Sequence, residues 1–598
     1  MQLSPTQKRQ SSLDLALIGN GTVSALVNSR ADIVWSCFPN FGGDPVFCSL
    51  LAPRGPAELG VFSIELVGGQ RAEQAYLQDT PILVTKCTDA KGGGIRITDW
   101  APRYEDGPRV VAPPVLVRKI EPMGGKARVV VRLRPAQDYG CAGIHPLVAD
   151  GSIRYAGEKT ALQLRTNALI DAVLSEAEIS IAEPITLTFG LDEALGIPEA
   201  SRWGDVRRTQ DYWLKWVASL DVPHEWRDAV VRAAISLRLN VFERTGAIVA
   251  AMTTSIPEAP DTQRTWDYRY CWLRDAYFVA AALNSLGDAK ISGRFLDFVL
   301  KASRDSTKPL KPLYGIDLKG IPPEHFAKCL EGYRGMGPIR VGNEASAQIQ
   351  HDAYGEVILA AQPLFDEVFP EGATAHDLFT RLEGFGEQAA RLFAAPDAGL
   401  WELRGIKRVH TFSSVMCWAA CDRLADYAVT LGLEERARFW RDRAAAIHAE
   451  ICRRSWSEPR GAFTATMEGE SLDASLLLMA KLGFLAADDP RYIATVEAIE
   501  KDLRHGDFIY RYVEKDHLGR PENAFLVCTF WYIEALAALG RTDEARSLFD
   551  KVLSCRNRHG LLAEDIDPVT LEQWGNFVQT YSMAGIIDCA VALAGGQP

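Results

Sequence analysis

The sequence predicts a mainly α protein, in which a large helical domain follows an all-β region. Three observations carry this reading. From residue 1 to about 195 the apolar residues alternate or gather in short β-branched runs. From about 224 to the end, 598, they recur at spacings of three and four, the period of a helix with one buried face. Between the two, from 196 to 223 and beginning around Arg202, the texture changes to that of a helical linker. The length suits two to four domains.

In the first region Val61 to Val67, Val129 to Leu133, Leu162 to Arg165 and Ile179 to Leu191 read as strands. Gly, Pro and Asp turns separate them at the spacing of a β-sandwich. In the second, Trp226, Val230, Ala233, Leu237 and Val241 share one helical face, as do Ala437, Trp440, Ala444, Ile447 and Ile451. Helices are expected near 224–242, 272–287, 289–303, 344–362, 376–395, 413–430, 433–454, 472–482, 490–504, 524–539, 541–554 and 576–594, twelve in all. Their ends carry stop and start signals: Gly483 after one, Asp489-Pro490 opening the next, and Thr542-Asp543-Glu544 after Gly540.

Composition narrows the function. Hydrophobic residues make up 47% and charged residues 24% of the chain, as in ordinary soluble proteins. A formal charge of −12 argues against a nucleic acid or an anionic membrane as partner. The N-terminus holds no apolar run of signal-peptide length, and nothing later is long enough to span a bilayer, so a cytoplasmic location is expected. The twelve cysteines form no CxxC pair; Cys417 and Cys421 stand alone at helical spacing. All are expected to be reduced and packed, with no metal site. Asn20-Gly21-Thr22 reads as a turn.

The most informative stretch is Gly246 to Asp275, GAIVAAMTTSIPEAPDTQRTWDYRYCWLRD. Trp266, Tyr268, Tyr270 and Trp272 interleave with Asp267, Arg269, Arg274 and Asp275. Such a pattern suits a sugar pocket, where rings cover the C–H faces and charged tips bond vicinal hydroxyls. A core of rings with a solvated charged face fits it too. The order of the residues decides: AxxTTSxPE followed by WDYRYxWxRD resembles the family 15 glycoside hydrolases, the glucoamylase and trehalase group. IGNGTVSALVNSRADIVWSCFPNF, Thr98 to Pro102 and Arg134 to Gly140 resemble the N-terminal β-sandwich of bacterial members, and RRTQDYWLKWVASL resembles their linker helix.

The resemblance implies an (α/α)6 toroid catalytic domain (224–598) behind a β-sandwich, or supersandwich, domain (1–195). It also implies roles. Trp401-Glu402 in GLWELRG resembles the motif that holds the general acid, and Glu564 in HGLLAEDIDP the motif that holds the general base. Gly399 and Gly405 independently place Glu402 on a loop, beside an indole that raises a carboxyl pKa. Arg274 and Asp275 would clamp the glucose O4 and O6, Tyr268 would stabilise the oxocarbenium-like transition state, and Trp272 and Trp401 would line the subsite. Arg520 and Glu522 resemble a substrate-contacting loop. Gln350 and Asp352 either face the pocket or brace it. Fungal glucoamylases carry a second Glu after the acid, where this chain has Leu403 followed by Arg404, as in trehalase-like members; Arg404 is placed on the aglycone side. Val578 stands where the family has Pro.

The function expected is an inverting, exo-acting α-glucoside hydrolase that releases β-D-glucose from short α-glucosides, with an α,α-trehalase as the alternative. More distant readings are a sugar phosphorylase and a sugar-binding protein on a decayed enzyme fold. Inversion requires Glu402 and Glu564 to stand about 6.5–9.5 Å apart, leaving room for a water. No cofactor is called for; the partner is a small carbohydrate, and both a monomer and a homo-oligomer fit.

Overall fold

The computed structural model describes residues 11–52, 59–196, 203–303, 309–368 and 373–595. The first ten residues of the β region and the start of the linker around Arg202 lie outside the described residues.

Two antiparallel sheets form the N-terminal part. One runs in the order Ala16–Gly19, Ser24–Val27, Ile33–Phe38, Val61–Leu66, Ala127–Arg134, Ile179–Ile181, with Asp44–Phe47 paired off Ile33–Phe38. The other has eight strands, with Ile185–Leu191 and Val115–Met123 in its middle. Along Ala127–Arg134 the residues Ala127, Val129, Val131 and Leu133 are buried while the arginines between them are not, the alternation of a sheet with one covered face. Both sheets contribute to one core, in which Phe38, Phe47 and Phe62 surround Phe189 at centroid distances of 5.7, 5.3 and 6.1 Å. This is a β-sandwich. The run expected as one strand from Ile179 to Leu191 is two strands in different sheets, broken before Pro184, which lacks the N–H a ladder needs.

Twelve helices matter beyond it: α1 Val206–Ala218, α2 Arg227–Asn240, α3 Leu273–Ser285, α4 Lys290–Ala302, α5 Asp352–Ala360, α6 Ala373–Leu392, α7 Thr411–Thr430, α8 Glu434–Ser455, α9 Pro490–Leu503, α10 Leu526–Ala538, α11 Thr542–Ser554 and α12 Thr580–Leu593. A 3-10 helix, Ala474–Met479, takes the place of the α-helix expected at 472–482. Its N-cap Asp473 accepts from the N–H and Oγ–H of Ser475, and the next turn ends at Gly483. The helices α3, α5, α7, the 3-10 helix, α10 and α12 pack each against the next, and α12 returns to α3, closing a ring. Outside it α2, α4, α6, α8, α9 and α11 each cover one or two ring members. That is an (α/α)6 toroid.

The two layers differ as burial requires. In α10 every residue from Leu526 to Ile533 is buried, whereas α8 buries only Trp440, Ala444, Ile447, Ile451 and Ser455, one stripe at helical spacing. The helix expected at 344–362 is a 3-10 turn, Glu344–Ala347, then α5; the break between them aims Gln348 and Gln350 into the ring.

The cysteines bring a correction. Ten are free, nine of them buried, but Cys141 and Cys329 are joined by a disulfide across a Cα–Cα distance of 5.0 Å. The bond ties the sandwich to a loop of the toroid. Its partners lie 188 residues apart, so no local spacing marks them as a pair. Among the described residues no helix is long and apolar enough to cross a membrane.

Candidate active site

A cavity opens at the N-terminal ends of the ring helices. Trp272, Phe525 and Gln579 are the N-caps of α3, α10 and α12, and Asp275 and Tyr581 sit in first turns; all five line it. Helix N-termini present free N–H groups and the positive end of the dipole, so acidic side chains gather here at reduced cost. The lining begins at Ala250, and the sandwich supports it from behind. The guanidinium of Arg269, 1% exposed, donates to Asp267 at 2.8 Å, to the Gly43 carbonyl at 2.8 Å and to the Tyr139 hydroxyl at 2.5 Å. Trp35 of the sandwich donates its indole N–H to the Met252 carbonyl at 2.8 Å.

Glu402 lies in the turn between Gly399 and Gly405 with φ +59°, a left-handed conformation that a non-glycine residue holds only where its surroundings enforce it. Its carboxyl oxygen Oε1 takes the Trp272 indole N–H at 2.5 Å and stands 3.4 Å from donors on both Arg274 and Gln350. Gln348 donates to its backbone carbonyl at 3.1 Å. The side chain is 23% exposed. Burial raises its pKa, while Arg274, Trp272 and Gln350 pull it back.

Glu564 stands just before Asp565–Ile566, the middle strand of a small sheet with Ala524–Phe525 and Gln573–Trp574. Its carbonyl accepts the Leu526 N–H at 3.0 Å, which anchors it to the start of α10. The residue is 1% exposed. Oε1 accepts the Tyr268 hydroxyl at 2.6 Å, and Oε2 is buried without a partner among the described residues. Burial lifts this carboxyl above the usual range, the negative charge of Glu258 adds to the lift, and the Tyr268 hydroxyl and Arg511 oppose it. The Tyr268 and Trp272 rings meet edge to face at 5.4 Å. The two carboxylates are therefore joined through one aromatic pair, Glu564 to the hydroxyl of Tyr268 and Glu402 to the indole of Trp272.

The other expected residues divide. Asp275 is buried in the cavity wall, and burial pushes its carboxyl up to about 7. Arg274 lines the cavity too, but its Nη1 is committed to Gln350 at 2.9 Å and Asp352 at 2.7 Å, so Asp352 braces. Trp401 donates its indole N–H to Asp473 at 2.7 Å, fixing one wall. Arg404 pairs with Glu324 at 3.1 and 2.7 Å and with Glu344 at 2.9 Å, and lies 4.6 Å over the Trp266 ring. Arg340 grips the same Glu324 at 2.5 Å and lies 4.9 Å from the same ring. Arg520 and Glu522 are exposed and do not line the cavity.

Arg511 stands in the wall instead. It donates to Glu258 at 2.6 Å, which also takes the Trp266 indole N–H at 2.7 Å. Beside them Arg264 makes a bidentate pair with Asp516 at 2.8 and 2.7 Å. No role for Glu258, Arg264, Arg511 or Asp516 was read from the sequence. A signal existed for one: Tyr510-Arg511-Tyr512 repeats the alternation of Tyr268-Arg269-Tyr270.

Known proteins agree with this architecture. The profile described as "Glycosyl hydrolases family 15" matches residues 225–591, and "Trehalase-like, N-terminal" matches 8–186. A protein named trehalase from Thermoplasma volcanium is 30% identical over 588 residues, covering 96% of this chain and 92% of its own. Another trehalase, from Mycolicibacterium smegmatis, is 29% identical over 612 residues, with 97% and 90% covered. Among solved structures, a bacterial glucoamylase complexed with acarbose superposes with a TM-score of 0.71 at 15% identity, covering 100% of this chain and 96% of that one. At that identity it speaks for the fold alone. On the match across its toroid and the full-length relatives, this chain belongs to family 15 of the glycosyl hydrolases and is a glycoside hydrolase.

Proposed function

We propose that the enzyme is an inverting α,α-trehalase, with Glu402 as general acid and Glu564 as general base. The observation that carries the chemistry is the placement of two carboxyls at opposite ends of the Tyr268–Trp272 pair, facing one cavity. What favours trehalose over the glucoamylase-type substrates is that the relatives matching both domains carry the name trehalase.

Inverting hydrolysis needs a proton for the leaving oxygen and a carboxylate to activate a water on the opposite face. At Glu402 the three side-chain donors converge on Oε1, which leaves Oε2 to carry the proton. As the C1–O bond lengthens, that proton passes to the glycosidic oxygen. Positive charge grows on C1 and the ring oxygen, and the Tyr268 ring with the anionic Glu564 offsets it. Glu564 then takes a proton from the water that attacks C1. Asp275, buried in the wall, would hold the glucose hydroxyls, and Arg274 would hold Glu402 and Asp352 in register. Arg404, fixed by Glu324 across Trp266, would meet the second glucose. Arg520 and Glu522, being exposed, have no part in this reading.

The stereochemistry gives a direct test. In trehalose both anomeric carbons are α; attack at one with inversion yields β-glucose, while the other sugar leaves with its own α bond intact. We expect NMR of the anomeric protons to show equal α- and β-glucose in the first minutes, with maltose, isomaltose and maltotetraose turned over far more slowly. Faster release from maltose would return the enzyme to the glucoamylase type. α-Glucose alone as first product would remove the acid–base assignment.

A further inference from the structure

His517 lines the cavity, and neither of its ring nitrogens has a hydrogen-bond partner among the described residues. Its place in the cavity follows from burial. The floor is closed: Glu564 is 1% exposed, and Asp275 and Tyr581 are 5% exposed each. The side chains of Glu402 and Arg404 are 23% and 21% exposed, and His517 is exposed, so these three stand toward the mouth. The base therefore works from the floor and the acid from the mouth side. The glucose that is attacked lies on the floor, and the sugar that leaves from the Glu402 side lies at the mouth, between Arg404 and His517.

The turn that carries His517 is locked. The carboxylate of its neighbour Asp516 accepts from Arg264 at 2.8 and 2.7 Å, from the Tyr512 hydroxyl at 2.6 Å and from the Leu518 N–H at 2.7 Å. Arg264 also donates to the Gly519 carbonyl at 2.9 Å, and Asp516 and Gly519 bridge across the turn. Both charged side chains are buried, at 5% and 4% exposed. A polar group on a turn fixed in this way loses little freedom when it meets a ligand. The mouth also lacks an acceptor. Arg404 only donates, and the carboxylate of Glu324 is already taken by Arg404, Arg340 and the Glu344 N–H. A sugar hydroxyl both donates and accepts, so donors alone leave its O–H unmatched.

We propose that His517 is a specificity-determining residue: its imidazole binds the hydroxyls of the leaving sugar, accepting at one nitrogen and donating from the other, opposite the donors of Arg404. The ligand it selects is a polyhydroxyl leaving group, a second hexose, over a small or apolar one. The proposal rests on Glu402 being the acid. The electrostatics agree with it. Partial burial lowers the His517 pKa, and the cations Arg404, Arg264 and Arg340 lower it further against Asp516, so the ring is neutral at pH 7 and keeps a lone pair. The Asp516 carboxyl is held down at about 2, so the turn stays locked at any working pH.

The test compares kcat and KM of H517A, H517N and E402Q on trehalose and on α-glucosyl fluoride, which has no second sugar. H517A should raise KM for trehalose about 5- to 10-fold with kcat reduced less, and leave kcat/KM on the fluoride within about twofold. Asparagine offers both a donor and an acceptor, so H517N should stay within about threefold of the wild type on trehalose. In the wild type KM for trehalose should rise as the pH falls and the ring takes up a proton, losing its acceptor; in H517N that rise should be absent. Should maltose be the faster substrate, the same contrast is read on maltose. An H517A that loses equally on disaccharide and fluoride acts through the shape of the turn, and one that loses on neither makes no contact; both overturn the proposal. E402Q separates the two readings: near-normal turnover of trehalose there refutes the acid and with it the side from which the sugar leaves, whereas an inactive E402Q beside an unaltered H517A refutes only the part given to His517.

Discussion

The two carboxylates of the site live in opposite surroundings. Glu402 is part-exposed and surrounded by donors, an indole, a guanidinium and an amide. Glu564 is sealed in, meets one hydroxyl, and has acids for neighbours in Asp565 and Glu258. Burial raises both carboxyls; at Glu402 the donors oppose the lift and at Glu564 the charge of Glu258 adds to it, which suits the acid but not the base taken alone. The roles come out right only when each carboxyl is treated with its neighbours. Glu402 has a second oxygen free for a proton, and Glu564 has a second buried acid, Asp565, next to it in the chain. An acid–base pair is thus set by the proton holdings of two clusters, as in other coupled sites.

The largest effects separate the two ends directly. E402Q and E564Q should each lose about 10²- to 10⁴-fold in kcat on trehalose, the usual worth of a placed acid or base. They should part on α-glucosyl fluoride, whose leaving group needs no proton: E402Q should recover most of its rate and E564Q should not. Equal behaviour of the two variants on the fluoride would erase the distinction between acid and base.

A smaller effect probes the acidic end. Glu258 is a negative neighbour that raises the Glu564 carboxyl. Replacing it by Gln removes that charge and frees Arg511, which is held to it at 2.6 Å. Both changes favour the ionised base, so the acid limb of kcat/KM should move down in pH by about one unit, worth roughly 1.4 kcal/mol. E402Q and other changes at the donor-rich end should leave that limb in place. An upward shift in E258Q would contradict the sign argued here.

At the rim the expected change is smaller again. R404M removes the cation shared by Glu324, Glu344 and the Trp266 ring. We expect KM for trehalose to rise about 5- to 10-fold with kcat reduced less, as for loss of a contact made equally in ground and transition states.

How much of this could be read from the chain alone follows the range of the interactions. The helices were legible because their signals are local: a period, a cap, a glycine. Even there the 3-10 segment at Ala474–Met479 and the break before α5 escaped, since both exist to aim Asp473, Gln348 and Gln350 at partners far along the chain. The residues around Trp266 to Asp275 and Glu402 stood out because each sits in a dense motif. Arg511 did not, and Arg520 drew notice instead, although only the first faces the cavity. What separates them is the closing of the ring, which brings the segment around Arg511 to the cavity and leaves no mark at either position. The Cys141–Cys329 bond is hidden for the same reason.

The smallest effect is on stability, and its size distinguishes the two ends. An ordinary glutamate ionises near pH 4.3 when unfolded. The folded state holds the proton of Glu564 and its neighbour to higher pH, because the carboxyl is raised there. Above about pH 4.3 the unfolded chain has released a proton that the fold keeps, so stability from this group declines as pH rises through that window. E564Q removes the titration and should be more stable than the wild type at pH 7, by about 1 kcal/mol or one to two degrees in Tm, with the gain vanishing near pH 4. At Glu402 burial raises the carboxyl too, but three donors, one of them Arg274, oppose it, so E402Q should gain less or nothing. Thermal melts of both variants at pH 4.5 and 7 decide it. If E564Q melts with the wild type at both pH values, the acidic cluster carries no stored cost, and the contrast between the two carboxylates is one of geometry alone.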